Sequence, residues 1–118
     1  MKRHCDSLCT SFLGAMDLLS RPWNGFILAS LAKGPLRFRA LADRIGSIGD
    51  RMLSLRLKEL EANGLLERRV LPGPPVGVEY ALTPLGQDFM PVHDAIAAWG
   101  ARLPTPEIPP DAEERAYE

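Results

Sequence analysis

The sequence predicts a mainly α-helical fold with one β-hairpin, an α+β domain, and three observations predict it. Apolar residues recur at three- and four-residue intervals in five successive segments, which is the spacing of one face of a helix. Two β-capable segments, 65–71 and 78–83, flank a loop rich in proline and glycine, as the strands of a hairpin do. The chain has 118 residues, enough for one hydrophobic core but not for two.

Prolines and glycines delimit the first two helices. The first is predicted to begin at Leu8, where apolar residues start to recur at helical spacing. It ends before Pro22, because proline disfavours the helical conformation at the residue that precedes it. A second helix is predicted to start at Trp23 or Asn24 and to end at Gly34, which is followed by another proline.

The third and fourth helices are predicted over Phe38–Ile45 and Asp50–Asn63, with a short glycine-containing turn between them. In the fourth helix Leu53, Leu57 and Leu60 share one narrow stripe, so they are expected to form its buried face. The opposite side is polar except for one leucine and is expected to point away from the core. Its residues are Arg51, Ser54, Leu55 and Lys58.

A long helix is predicted to close the fold. Thr83 is its expected N-cap, followed by a proline at the first helical position, and the helix runs to Leu103. Pro91 is expected to kink it or to separate its first turns from the rest. Large apolar side chains form a heptad-like stripe along it. These are Leu85, Phe89, Val92, Ile96, Trp99 and Leu103.

Charge is distributed unevenly along the chain. The formal net charge is −1, yet residues 33–69 hold nine Lys or Arg against five Asp or Glu. Residues 103–118 hold five acids, one Arg and four prolines. We therefore expect one domain over residues 1–103, whose basic centre suits a polyanion, and a Pro-rich acidic tail over residues 104–118.

Several function classes find no support in the sequence. It has no Gly-rich phosphate loop or nucleophile elbow, and His4 and His93 lie in different contexts, so an enzyme is not expected. Cys5 and Cys9 have neither CxxC spacing nor a second pair, so no metal and no other cofactor is expected. No apolar run approaches about 18 residues and no signal peptide is evident, so we expect a cytoplasmic protein without a membrane partner.

The order of the predicted elements is that of a winged helix-turn-helix. The third and fourth helices form the helix-turn-helix, and a hairpin placed directly after them is a wing. The outward face of the fourth helix suits the DNA major groove, and the arginines that begin the hairpin suit phosphate or the minor groove. The residues predicted to bind DNA are Arg44, Asp50, Arg51, Ser54, Leu55, Lys58, Arg68 and Arg69.

These motifs also resemble the HxlR-type branch of the MarR-like winged-helix transcription regulators. The resemblance covers about residues 12–103 and is most specific in RMLSLRLKELEANGLLER and VEYALTPLG, with Trp23 and Trp99 in register. It implies a homodimeric regulator, taken to be a repressor, that binds a palindromic operator in double-stranded DNA. It also implies that the N- and C-terminal helices mediate dimerisation. The interface residues then expected are Leu8, Phe12, Met16, Phe89, Val92, Ile96 and Trp99.

The fourth helix departs from the pattern of that family at two positions. Gly49 stands where the family usually has serine, so the usual hydroxyl cap is absent and Ser47, Gly49 or Asp50 can be the N-cap. Leu55 stands where polar residues are usual and offers an apolar side chain that can meet a thymine methyl group.

Cys9 and Cys5 are candidate redox sensors. Many members of the family carry a redox-sensing cysteine just before the first helix, a place that the alignment gives to Thr10 and that Cys9 misses by one residue. The predicted bounds put Cys9 at the start of the first helix, where the helix N-terminus lowers a thiol pKa. The alternative is that both thiols are incidental and that the effector, which the sequence does not name, is a small molecule or does not exist.

A second function class also stays open, a winged helix used for protein–protein contacts without DNA binding. A protein-binding version is expected to lose the basic character of its outward face. Here arginine and lysine are retained on the helix-turn-helix and on the wing, which favours DNA binding.

Overall fold

The computed structural model describes residues 2–104, and it describes side chains over residues 9–104. The predictions made for the side chains of His4, Cys5 and Leu8, and for the tail from residue 105 onward, lie outside the described residues. The elements in chain order are α1 (Lys2–Ser20), α2 (Asn24–Ser30), β1 (Leu36–Arg37), α3 (Phe38–Ile45), α4 (Asp50–Ala62), β2 (Leu66–Leu71), β3 (Gly77–Leu82), α5 (Pro84–Gln87) and α6 (Phe89–Gly100).

This order confirms the predicted winged helix-turn-helix. α3 has the predicted bounds, and α4 ends one residue earlier than predicted, at Ala62. The prediction that the first helix begins at Leu8 is wrong, since α1 begins at Lys2. Apolar spacing detects only the part of a helix that has an apolar face, and polar residues such as lysine, arginine and aspartate extend a helix without leaving that signal.

Pro91 acts on the last helix as predicted, but the break lies one turn before it. α5 ends at Gln87, Asp88 separates the two helices, and α6 begins at Phe89. Proline has no N–H to donate to the carbonyl four residues earlier, here that of Gln87, and its ring clashes with that carbonyl. The interruption at Asp88 therefore follows from Pro91. Thr83 caps α5 as predicted, and its hydroxyl accepts a hydrogen bond from the Gly86 N–H at 3.1 Å.

The hydrophobic core lies between α2, α3, α4 and the sheet. The predicted buried face of α4 is confirmed, because Leu53, Leu57 and Leu60 are at most 1% exposed. They pack in one cluster with residues of the neighbouring elements. The other members of that cluster are Ile27, Leu28, Leu31, Leu41, Ala42, Ile48, Leu65, Leu66 and Leu82.

The end of α4 sets the direction in which the chain enters the wing. The Leu65 N–H donates to the Leu60 carbonyl at 3.0 Å, and the Gly64 N–H donates to the Glu61 carbonyl at 3.0 Å. Together these bonds are a Schellman motif, whose turning residue is Gly64 at φ 79°. Leu65 and Leu60 are both buried, which supplies the apolar contact that accompanies this motif.

The three strands form an antiparallel sheet in the order β1-β3-β2. β1, Leu36–Arg37, is a two-residue strand that covers the free edge of β3. In the register of β2 and β3, Arg68 lies opposite Tyr80, and Arg69 lies opposite Glu79. This register decides which side of the wing each arginine occupies.

A tight corner joins α1 to the core. Trp23 has φ 77°, an uncommon conformation for a bulky residue, and α2 begins at the next residue. Asn24 is fully buried, and its side-chain amide donates to the Leu18 carbonyl at 2.9 Å, which satisfies one carbonyl at the end of α1.

Candidate nucleic-acid interface

The outward face of α4 is as predicted. Arg51, Ser54, Leu55 and Lys58 are all exposed, whereas the leucines on the opposite side fill the core. α4 lies directly after α3 and a four-residue connection, 46–49. The helix is thus held rigidly from one side, while two basic residues, one hydroxyl and one apolar side chain project from the other.

Asp50, the first residue of α4, is engaged within the protein. Its carboxylate accepts a hydrogen bond from the Arg39 guanidinium at 2.7 Å, and both side chains are exposed. The hydrogen bond to Asp50, followed by the Coulombic attraction of the same group, raises the pKa of Arg39. The Arg39 guanidinium also lies 5.7 Å from the centroid of the Phe38 ring. This ion pair ties the start of α3 to the start of α4, so Asp50 helps to orient the helix.

Arg56 is the one basic residue in the middle of α4 that does not project outward. Its side chain is 10% exposed and donates to Glu59 at 2.8 Å. The other oxygen of Glu59 lies 3.9 Å from Arg21, at the end of α1. The helical spacing predicts that Arg56 points inward, because it stands three residues after Leu53 and four before Leu60. Arg56 therefore connects α4 to the body of the domain.

The wing arginines lie on opposite faces of the sheet, because side chains alternate along a strand. Arg69 donates to Glu67 on its own strand and lies 3.7 Å from Glu79 across the ladder. The hydrogen bond to Glu67 is the main cause of the raised pKa of Arg69. Arg68 lies on the face of Tyr80 and is exposed. The two were predicted to act alike, and the ladder gives them different surroundings.

We expect the two wing arginines to differ in their effect on salt-dependent DNA binding. Arg68→Ala should flatten the slope of log affinity against log salt by about 0.9 per protomer, the value for one phosphate contact. Arg69→Ala should change the slope by less than half of that, because two carboxylates already surround its guanidinium. The measurement is fluorescence anisotropy on a random duplex between about 50 and 200 mM salt. Equal slopes for the two variants would contradict this assignment.

Arg44 and the turn between α3 and α4 complete the basic surface. Arg44 is exposed on the last turn of α3 and donates to the Ser30 carbonyl at 3.4 Å. The N-cap of α4 is Gly49, and no side chain caps the helix. Of the three candidates for this position, the glycine is thus the residue that occupies it. The N–H groups of the first turn then have no side-chain cap, which leaves them available to a phosphate.

A second surface is apolar and lies on α1, α2 and α6. Large side chains that a monomer would leave in water are exposed there, most of them by more than 40%. Phe89 is half-buried and packs against the core. The other described residues predicted for the interface are exposed, namely Phe12, Met16, Val92, Ile96 and Trp99. An apolar groove of about 320 Å³ runs between Leu19, Phe26 and Ile96. The exposed apolar residues are Phe12, Leu13, Met16, Phe26, Val92, Ile96, Trp99 and Leu103.

Residues 18–107 match the model of the HxlR-like helix-turn-helix family. This chain belongs to that family. A curated relative, the HTH-type transcriptional regulator YodB of Bacillus subtilis (strain 168), is 40% identical over 101 residues, which cover 86% of this chain and 90% of YodB. The resemblance found in the sequence motifs is thereby confirmed, and with it the assignment to helix-turn-helix transcriptional regulators.

Two solved structures of similar regulators share the fold. The reduced form of YodB from B. subtilis superposes with a TM-score of 0.76 at 40% identity, covering 83% of this chain and 96% of that one. The redox regulator HypR in its reduced form superposes with a TM-score of 0.72 at 33% identity, covering 77% of this chain and 90% of that one.

Cys9 does not lie at the position in α1 that the sequence predicted. The prediction that Cys9 lies at the start of the first helix is wrong, because α1 begins at Lys2 and Cys9 is its eighth residue. The field of a helix N-terminus falls off within the first turn, so it does not act on Cys9. Cys9 is exposed, and by the bounds of α1 it is the backbone of Cys5 that belongs to the first turn.

Three residues of the interface were missed by the sequence reasoning. Arg39 on α3 pairs with Asp50, and Glu59 of α4 pairs with Arg21 at the end of α1. No local pattern announces a partner that lies eleven or more residues away. Phe26 extends the apolar surface onto α2 and is 67% exposed. Its exposure depends on how α2 packs, so it could be recognised only in the folded domain.

In the described part of the chain, few side chains are suited to catalysis or metal binding. His93 lies on α6, 3.2 Å from Asp94, at the edge of the apolar groove. Within residues 9–104 no cluster of three or more His, Cys, Asp or Glu is placed to hold a metal ion. No described helix is long and apolar enough to cross a membrane.

Proposed function

We propose that this protein is a homodimeric transcription regulator that binds a two-fold-symmetric DNA operator and places α4 of each protomer in the major groove. The observation that carries the proposal is the two-sided character of α4, with leucines buried on one side and Arg51, Ser54 and Lys58 exposed on the other. A helix with these properties can hydrogen-bond base edges and phosphates at once. The protein acts by binding, and it needs no catalytic group.

The proposed dimer rests on the apolar surface of α1 and α6. Isolated exposed leucines are common, but exposed phenylalanine, methionine, isoleucine and tryptophan side chains on both helices mark an interaction surface. Homodimers are the commonest assemblies of soluble chains, and two recognition helices related by a two-fold axis match an inverted-repeat operator. In this arrangement residues 1–103 form the DNA-binding and dimerisation domain, and residues 104–118 follow it as a tail.

A winged helix that binds protein instead of DNA is the second candidate. The exposed basic residues of α3, α4 and the wing favour DNA, because these elements meet the duplex in a winged helix-turn-helix. The apolar surface lies on other elements, so it serves a partner chain without competing with the duplex.

The test of the proposed function is selection of operator fragments from random DNA with the full-length protein, followed by affinity measurements. We expect enrichment of an inverted repeat whose affinity exceeds that of random duplex by at least about 10³. Arg51→Ala should reduce this preference by about 1–3 kcal/mol per half-site and leave binding to random duplex nearly unchanged. Failure to bind duplex DNA at low salt would instead support the protein-binding alternative.

We further propose that operator binding responds to thiol oxidation. YodB has been solved in a reduced form and HypR is a redox regulator, and the thiol-bearing helix α1 of this chain belongs to the proposed dimer interface. A disulfide to the partner, or oxidation to sulfenic acid, would alter the packing of α1 and so the separation of the two α4 helices. Half-sites lie about one helical turn apart, so a shift of a few ångström would weaken binding at both.

Oxidation is therefore expected to release the operator, and the response is expected to depend on the cysteines. Diamide should lower operator affinity about tenfold in the wild-type protein, and the double variant Cys5→Ser/Cys9→Ser should lose this response. The single variants Cys5→Ser and Cys9→Ser then show which thiol is responsible. The readout is anisotropy before and after diamide, with dithiothreitol reversal as the control. Unchanged affinity in oxidised wild type would exclude a thiol sensor.

A further inference from the structure

Leu55 is the apolar member of the outward face of α4. Its side chain is 48% exposed, whereas the three core leucines of the same helix are at most 1% exposed. Its neighbours on that face, one turn before and one turn after it, are Arg51 and Lys58. An apolar side chain between two cations lies where the duplex is proposed to bind.

Neither the core nor the apolar surface of the domain accounts for Leu55. The core cluster is completed by other side chains of α4, and Leu55 is not part of it. The apolar groove is lined from α1, α2 and α6 and includes no residue of α4. Neither of these two groups of residues therefore explains a leucine at this position.

We propose that Leu55 recognises the C5-methyl group of a 5-methylpyrimidine, normally thymine, once in each half-site of the operator. The inference rests on the proposed function and specifies what this face of α4 reads. The thymine methyl is the apolar group that base pairs present in the major groove, and leucine offers it an apolar contact without requiring a hydrogen bond.

The position of this thymine relative to the base read by Arg51 follows from the geometry of the helix. Four residues of α-helix rise about 6 Å, and successive base pairs are about 3.4 Å apart. The methyl group read by Leu55 is therefore one to two base pairs from the base that Arg51 contacts. Cytosine lacks the methyl group, and 5-methylcytosine carries it at the same place, so the contact distinguishes methylated from unmethylated pyrimidines.

The test replaces each thymine of the selected operator in turn by deoxyuridine, which removes the methyl group and keeps every hydrogen-bonding group. For the full-length wild-type protein, we expect one position per half-site to lose about fourfold in affinity, the effect of burying one methyl group. Leu55→Ser should lose this sensitivity, and Leu55→Met, which keeps an apolar reach, should retain it. Leu85→Ser, at an exposed leucine of α5, is the matched control and should leave the pattern intact.

A second arm tests the methyl group itself. Cytosine at the sensitive position should weaken binding by the wild type, and 5-methylcytosine should restore about fourfold of the loss, but not for Leu55→Ser. If an operator is enriched but no thymine is sensitive, or if Leu55→Ser keeps the sensitivity, the assignment of Leu55 is wrong and the proposed function stands. If no sequence is enriched over random duplex, both fail.

Discussion

Ile96→Glu is expected to convert the protein into a folded monomer whose operator affinity is lower by at least about 100-fold. Ile96 is 43% exposed on α6 and borders the apolar groove, so glutamate is tolerated by a single protomer. In the proposed dimer the same carboxylate would be buried beside apolar side chains of the partner, which costs several kcal/mol. Loss of the second half-site removes the gain in affinity from bivalent binding, which reaches 10²–10⁴.

The oligomeric state is measured by sedimentation at micromolar concentration and the operator affinity by anisotropy. Ala98→Glu is the matched control, because Ala98 is also exposed on α6 but lies about 140° around the helix from its apolar stripe. It should remain dimeric and bind the operator normally. A wild-type monomer, or a dimeric Ile96→Glu, would contradict the proposed interface, and circular dichroism shows whether the variant is folded.

Gly86→Ala is expected to destabilise the domain by about 2–4 kcal/mol, the range of severe core substitutions. A Cβ atom at Gly86 would lie 2.1 Å from the Leu65 carbonyl oxygen, so backbone would have to move. That movement is opposed, because the same carbonyl accepts the Thr83 N–H at 3.1 Å, and the Thr83 hydroxyl donates to the Gly64 carbonyl at 2.6 Å. These bonds join the end of α4 to the start of α5.

Thermal unfolding followed by circular dichroism measures this effect, and the midpoint should fall by about 10 °C or more. Gly100→Ala serves as the control. Gly100 is the last residue of α6, and a Cβ atom there would have no neighbour within 4 Å, so its stability should be unchanged or slightly raised by the better helix propensity of alanine. Equal midpoints for Gly86→Ala and wild type would mean that the close approach at Leu65 relaxes without cost.

The proposed recognition surface was largely visible in the sequence. The three core leucines of α4 follow one helical stripe, so helical spacing alone identifies the residues opposite them as exposed. The same spacing places Arg56 on the buried side of α4, although an arginine in a recognition helix is commonly expected to contact DNA. Local periodicity determines which way a side chain points, whatever its chemical type.

Ion pairs between residues from distant parts of the chain could not be predicted from the sequence. Arg39 pairs with Asp50 across the turn of the helix-turn-helix, and Arg69 pairs with Glu79 across the hairpin. An ion pair depends on the packing angle of two helices or the register of two strands, and a difference of one residue in register would move Glu79 to the other face. Such pairs give Asp50 and Arg69, both predicted to bind DNA, partners within the protein.

The sequence by itself determined the order of the elements, the bounds of α3, the buried stripe of α4, and the position of the wing, because each follows from a local pattern of apolar residues, glycines and prolines. Only the tertiary structure decided that Arg68 and Arg69 differ in their surroundings, that Gly86 meets the Leu65 carbonyl, and that apolar side chains of α1, α2 and α6 share one groove. These features join residues far apart in the chain, and their distances are set by packing, which local periodicity does not encode.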